Sequence, residues 1–165
     1  MKRLIPHYIT RIEGHGILKI NFDSKTAILK VEEGERMFEQ LVVGQSISEV
    51  PFLVARICGI CPVSHHLGAI KAIEDALKIT PSPATLLLRK ILLSAHHIQS
   101  HLLHLFFLSL PDYLPQKDAT QIAKKYPNEF ALMLRIKKIT DKIVEVIGGR
   151  SIHPCLLYTS DAADE

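Results

Sequence analysis

Two short alternating runs open the pattern of apolar and polar positions. Leu18, Ile20 and Phe22, then Ala27, Leu29 and Val31, fall at every second position, with Asp23-Ser24-Lys25-Thr26 between them. A period of two interrupted by a polar turn reads as a β-hairpin within residues 16–33. Beyond it the period lengthens. Met37, Phe38 and Leu41 share one face of short helical stretches between Gly34 and Val54. Val63, Leu67, Ile70, Ile73 and Leu77 recur at helical spacing from Pro62 until Thr80-Pro81-Ser82-Pro83 breaks the run. A second helix, from about Ala84 to Leu110, is apolar nearly all round, as suits an element buried in a larger helical body, and Leu110-Pro111-Asp112-Tyr113 ends it. Residues 116–126 are polar and read as a loop with a short helix. A third long helix starts at Pro127, carries Phe130, Met133, Ile136, Ile139, Ile143 and Ile147 inward, and stops at Gly148. The expected fold class is α+β, predominantly α, with an N-terminal β-hairpin followed by three long helices. Their apolar faces exceed what three helices can bury among themselves, which implies further neighbours.

Composition narrows this picture. With 165 residues, 47% of them hydrophobic, the chain can bury a core of its own. The net charge of +3 comes from scattered basic residues, so no nucleic-acid-binding stripe is expected. Three cysteines, two of them in a CxxC, point away from a disulfide framework and toward a reducing compartment. The N-terminus is basic but lacks the apolar run of a secretory signal, so the cytoplasm is the expected location. The one stretch apolar enough to raise a membrane span, Leu86 to Leu110, contains Arg89, Lys90, Gln99 and four histidines. It reads as a buried helix and not as a span.

The candidate chemistry gathers in Arg56-Ile57-Cys58-Gly59-Ile60-Cys61-Pro62-Val63-Ser64-His65. Gly59 lets a tight turn aim both sulfurs at one point. Pro62 favours the first turn of a helix, which places Cys61 at the N-cap, where unpaired N–H groups and the helix dipole stabilise a thiolate. His65 lies one turn on, above Cys61, and Arg56 adds positive charge. Thiolates so placed bind soft transition metals. The same spacing also occurs in structural zinc sites, here with two histidines completing the set, and in redox pairs. His97, His101 and His104 form a second polar line at i, i+4 and i+7; it could ligate a metal, though such a line is more often hydrogen-bonded in a core or faces a carboxylate.

The motif Arg-x-Cys-Gly-x-Cys-x-x-x-His, ahead of a long helix, resembles the N-terminal nickel-binding motif of [NiFe]-hydrogenase large subunits. Thr10-Arg11-Ile12-Glu13-Gly14-His15 resembles that family's motif nearer the N-terminus. The likeness continues through Glu39, through His104 to Asp112, and to Gly148-Gly149-Arg150 with His153-Pro154, so that it spans residues 5–154. Cys-Pro-Val-Ser-His most resembles the soluble branch, whose large subunits work with NAD(P)- or F420-linked partners. Residues 155–165 do not resemble the family's continuation and read as a foreign tail on a truncated frame.

The resemblance implies a nickel held by four thiolates, with Cys58 a terminal ligand and Cys61 a bridge to an iron that carries carbonyl and cyanide. It implies that His65 donates to the Cys61 sulfur, that Glu13 passes protons, that Asp112 lies near the open coordination positions, and that Glu39 helps hold a second metal, magnesium or iron. H2 would be oxidised reversibly, with electrons leaving to iron–sulfur clusters in a small subunit. The second cysteine pair is expected near the end of a subunit several times this long, so a chain of this length alone is expected not to assemble the centre. Two rivals remain: a metal-free structural or electron-transfer relative like a quinone-site subunit of respiratory complex I, against which Cys58, Cys61 and Glu13 speak, and a small zinc-binding interaction module.

Overall fold

Proline marks where several helices of this chain begin. In the computed structural model, which describes residues 7–8, 12–32, 35–115 and 118–156, Pro51, Pro62, Pro83, Pro111 and Pro127 each fall in the first turn of a helix. There the missing N–H has no intrahelical acceptor to lose. The chain divides into two units, Met1–Gln40 and Leu41–Glu165.

The first unit holds an antiparallel sheet in the order β1 (His7–Tyr8), β2 (Gly16–Asn21), β3 (Thr26–Val31). The expected hairpin is β2–β3, in register from Gly16 opposite Val31 to Asn21 opposite Thr26. Its turn is shaped by Asn21, whose Oδ1 accepts the N–H groups of Asp23 and Ser24 at 3.0 and 3.1 Å. β1 adds a third strand too short to show any alternation. The sequence pattern is corrected on burial: Ile17 is the buried hydrophobe, whereas Phe22, Leu29 and Val31 are exposed. A single sheet layer has no second layer against which to close a face. Met37, Phe38 and Leu41, on α1 (Glu35–Val42), are likewise exposed.

The second unit comprises α2 (Val50–Val54), α3 (Pro62–Leu77), α4 (Pro83–Leu103), α5 (Leu110–Tyr113), α6 (Ala119–Lys125) and α7 (Pro127–Gly148). The three long helices expected are α3, α4 and α7. Their core buries Val63, Leu67 and Ile70 of α3, Leu92 and Ala95 of α4, and Val144 of α7. Ser82 caps α4 by accepting the Thr85 N–H at 3.1 Å. Among the described residues no helix is long and apolar enough to cross a membrane.

Three details depart from the sequence pattern. The second helix does not run evenly to Leu110, because His104–Ser109 winds as a π-helix. Pro111 cannot donate to the carbonyl four residues back, so the chain takes the wider turn and the Leu110 N–H reaches Leu105 O. Ser109 Oγ then lies 3.1 Å from His104 Nδ1. Ile139 on α7 faces out at 60% exposure, while Thr140 turns inward because its hydroxyl donates to the Ile136 and Lys137 carbonyls at 3.1 and 2.9 Å. The histidine line is also inverted. His97, His101 and His104 are exposed, and His96 is the buried one, at 3% exposure, because the inward stripe of α4 runs through Thr85, Arg89, Leu92, Ala95, His96 and Gln99.

The same stripe carries a buried ion pair. Arg89 donates from Nη1 to Glu74 Oε2 at 2.9 Å and from Nη2 to Glu74 Oε1 at 2.6 Å, with both side chains 7% exposed. The bidentate geometry satisfies both carboxylate oxygens. It also explains why α3 turns Glu74 inward and leaves Leu77 exposed.

Glu74→Ala should lower unfolding stability by about 3 kcal/mol, the scale for leaving a buried charge without its partner; denaturant melts would show it. Burial pushes His96 below its ordinary pKa of 6.5, the nearby His97 charge adds to this, and a hydrogen bond with Gln99 opposes it. The unfolded chain therefore binds the proton more readily, so stability is full above pH 6.5 and is lost as pH falls through the lowered folded value. His96→Gln should flatten the acid-side fall of Tm between about pH 7 and pH 5.

Candidate functional site

Two elements set the cysteine loop. α2 ends at Val54, and α3 begins at Pro62 with Cys61 as its N-cap. Between them the chain makes short turns: the Arg56 N–H donates to Leu53 O at 3.0 Å and the Ile57 N–H to Val54 O at 3.2 Å. Cys58 and Cys61 are both half-buried.

Each sulfur has its own partner set. Cys58 Sγ accepts the N–H groups of Ile60 at 3.3 Å and Cys61 at 3.2 Å. Cys61 Sγ lies 3.3 Å from His65 Nε2. This corrects one expectation. The Cys61 side chain makes no cap hydrogen bond, and the backbone N–H groups of the turn converge on Cys58. The turn aims the amides at the first sulfur, while the second sulfur is served by the imidazole one helical turn along. Gly59 does not take a positive φ and has open space where a Cβ would sit, so the expectation that the turn needs a glycine there is corrected. Both sulfurs thus have a nitrogen group within hydrogen-bond reach.

The other candidate residues belong to other elements. Asp112 is exposed on α5, which packs against the π-helical turn and α6. Glu13 is exposed in the turn before β2, and Glu39 is exposed on α1; both belong to the first unit. Thr10 and Arg11 of the N-terminal motif, and residues 157–165 of the expected tail, lie outside the described residues. Cys155 and Leu156, at the start of that tail, are tied to the body: their N–H groups donate to Gly148 O at 2.9 and 3.2 Å. Among the described residues, no three His, Cys, Asp or Glu side chains gather closely enough to hold a metal ion by themselves.

Two histidines that the motif reading left without a role stand around this loop. His66 is fully buried, with Nδ1 3.1 Å from Pro51 O and Nε2 3.1 Å from Leu156 O. His153 Nδ1 lies 2.7 Å from Ala55 O. The signal for His66 was available in its spacing, since it falls three positions after Val63 on the inward face of α3. The partner of His153, 98 residues away, carried no local signal.

The chain is similar to known proteins throughout this region. Residues 36–147 match the family model described as nickel-dependent hydrogenase. Among curated relatives, a chain of the F420-non-reducing hydrogenase vhu of Methanocaldococcus jannaschii is 38% identical, over 93% of this chain and 39% of its own length. The alpha subunit of sulfhydrogenase 2 of Pyrococcus furiosus is 40% identical, over 87% of this chain and 36% of its own. The chain thus spans less than two fifths of the length of these relatives. Among solved structures, an NAD+-reducing [NiFe]-hydrogenase in its H2-reduced state superposes with a TM-score of 0.76 at 30% identity, over 93% of this chain and 37% of that one.

Proposed function

The chain belongs to the nickel-dependent hydrogenase family, and from that membership we propose that it forms the N-terminal part of a hydrogenase large subunit, whose activity is the reversible oxidation of H2 to protons and electrons. The observation that carries this reading is the pair of sulfurs, one accepting two backbone N–H groups and the other beside an imidazole. That donor set suits a soft divalent metal, because hydrogen bonds lower the basicity of a thiolate without removing its charge.

Cys58 and Cys61 would hold a nickel–iron group, its iron bearing carbonyl and cyanide, as resemblance to the family implies. The remaining two thiolates would come from outside residues 1–165. A bound nickel–iron pair would supply the Lewis acidity and redox capacity that H2 cleavage needs. His65, protonated on Nε2, would donate to Cys61 Sγ and draw charge from that sulfur. We assign Glu13 the proton-passing carboxylate, Asp112 a polar position above the open coordination side, and Glu39 an oxygen ligand to magnesium or iron, the roles implied by resemblance to the family.

Electrons would pass to a small subunit bearing iron–sulfur clusters, in the cytoplasm, and from there to an NAD(P)- or F420-linked partner. The name of one relative, NAD+-reducing, supports a nicotinamide-linked acceptor, whereas another is named as not reducing F420. Residues 1–154 would be the hydrogenase portion, with 155–165 outside it.

Nickel(II) added to the intact chain should produce thiolate-to-metal charge-transfer absorption, and Cys58→Ser or Cys61→Ser should each remove it. Retention of the band in both variants would overturn the ligand assignment. In the complete hydrogenase complex, Glu13→Gln should slow H2/D2 exchange about a hundredfold, with nickel content unchanged; full exchange in that variant would end the proton-passing role.

A further inference from the structure

The last carbonyls of a helix have no intrahelical donor, and a buried carbonyl must find one elsewhere. At the end of α2 each can be traced. Pro51 O accepts from the Ala55 N–H at 3.2 Å, Leu53 O from the Arg56 N–H at 3.0 Å and Val54 O from the Ile57 N–H at 3.2 Å. Phe52 O accepts from Arg56 Nη1 at 2.6 Å. That leaves Ala55 O, on a residue with no solvent exposure three positions before Cys58. Its partner is His153 Nδ1, at 2.7 Å. A carbonyl only accepts, so Nδ1 carries the proton.

The turn that presents His153 is built for that reach. Gly148 is buried against Pro154, where an added Cβ would come within 2.9 Å of the Pro154 Cβ. Gly149 takes φ +79, and His153 itself takes φ +56 in the left-handed region. The turn closes on Gly148 O, which accepts the Cys155 and Leu156 N–H groups. His66 bridges from α3 to both sides of this arrangement, at Pro51 O and Leu156 O. The carbonyls of Pro51 and Ala55 are four apart, and an imidazole nitrogen stands within hydrogen-bond reach of each.

We infer that His153 is a positioning residue for the cysteine turn: its Nδ1–H, held by the Gly148–Leu156 turn, anchors Ala55 O and so fixes where the backbone releases Cys58 and Cys61. This deepens the metal-site reading and rests on it for its purpose, but the anchoring itself is a property of the metal-free chain.

The test uses substitutions that separate backbone from hydrogen bond. Asn tolerates positive φ and places its amide N–H where Nδ1–H stands. Asp also tolerates positive φ and has the same size, but as a carboxylate it cannot donate. His153→Asn should therefore keep the alkylation rates of Cys58 and Cys61 near those of the parent chain. His153→Asp should raise them about fivefold, the opening expected on loss of one hydrogen bond. Amide exchange should quicken at Ile60 and Cys61 in His153→Asp, while exchange in the centres of α4 and α7 stays unchanged. His153→Gly, which keeps the backbone angle and removes the ring, should behave like His153→Asp. Equal alkylation rates in the Asn and Asp variants would overturn the proposal, as would loosening spread evenly through α4 and α7. If the Asp variant loosens the turn and yet Cys58→Ser and Cys61→Ser leave the nickel content of the complete hydrogenase complex unchanged, the anchor stands and the metal reading falls.

Discussion

The apolar seam shared by α3, α4 and α7 is the constraint on which the second unit depends. Val63, Leu67 and Ile70 must meet Leu92, Ala95 and Val144, and burial of such side chains contributes about 2 kcal/mol each. Because Val63 is the second residue of α3, closing that seam also fixes the helix N-terminus and with it Cys61. The Glu74–Arg89 pair acts at the other end of the same interface. It adds little net stability over an apolar pair, but its bidentate geometry admits only one register between α3 and α4.

The cysteine turn inherits its position from this framework and its local shape from its own backbone. The chain folds back between Cys58 and Cys61, so the Ile60 and Cys61 amides reach Cys58 Sγ without any side chain from another element. Cys61 depends on His65, which helical geometry alone brings one turn above it. The two sulfurs thus have partners of different kinds, backbone amides for Cys58 and an imidazole for Cys61.

Where the apolar pattern misplaces a residue, the cause is a competing polar satisfaction. Helical spacing puts Ile139 inside and Thr140 outside, yet Thr140 can return its hydroxyl bond to its own helix, which makes its burial cheap. The apolar line through Ile73 and Leu77 gives way to Glu74, because Arg89 offers a complete partner. His97, His101 and His104 have the spacing of a buried polar line, but the pattern of α4 is set by Leu92 and Ala95, whose face includes His96 instead. The π-helical turn at His104–Ser109 is traceable to Pro111, although its extent is not evident from composition.

By itself the sequence determined the hairpin, the starts of three long helices and the stops of the first and third, the CxxC turn with His65 above it, and the family. All of these rest on contacts within about four residues or on motif order, which the chain carries wherever it folds. Only the tertiary structure decided which histidine is buried, which faces of α3 and α4 turn inward, and where Ala55 O finds its donor. Those outcomes turn on pairings such as Glu74 with Arg89, Gln99 with Asp141 and Ala55 with His153. A buried polar group has to be satisfied by whatever the packing brings near it, and that neighbour has no fixed spacing along the chain.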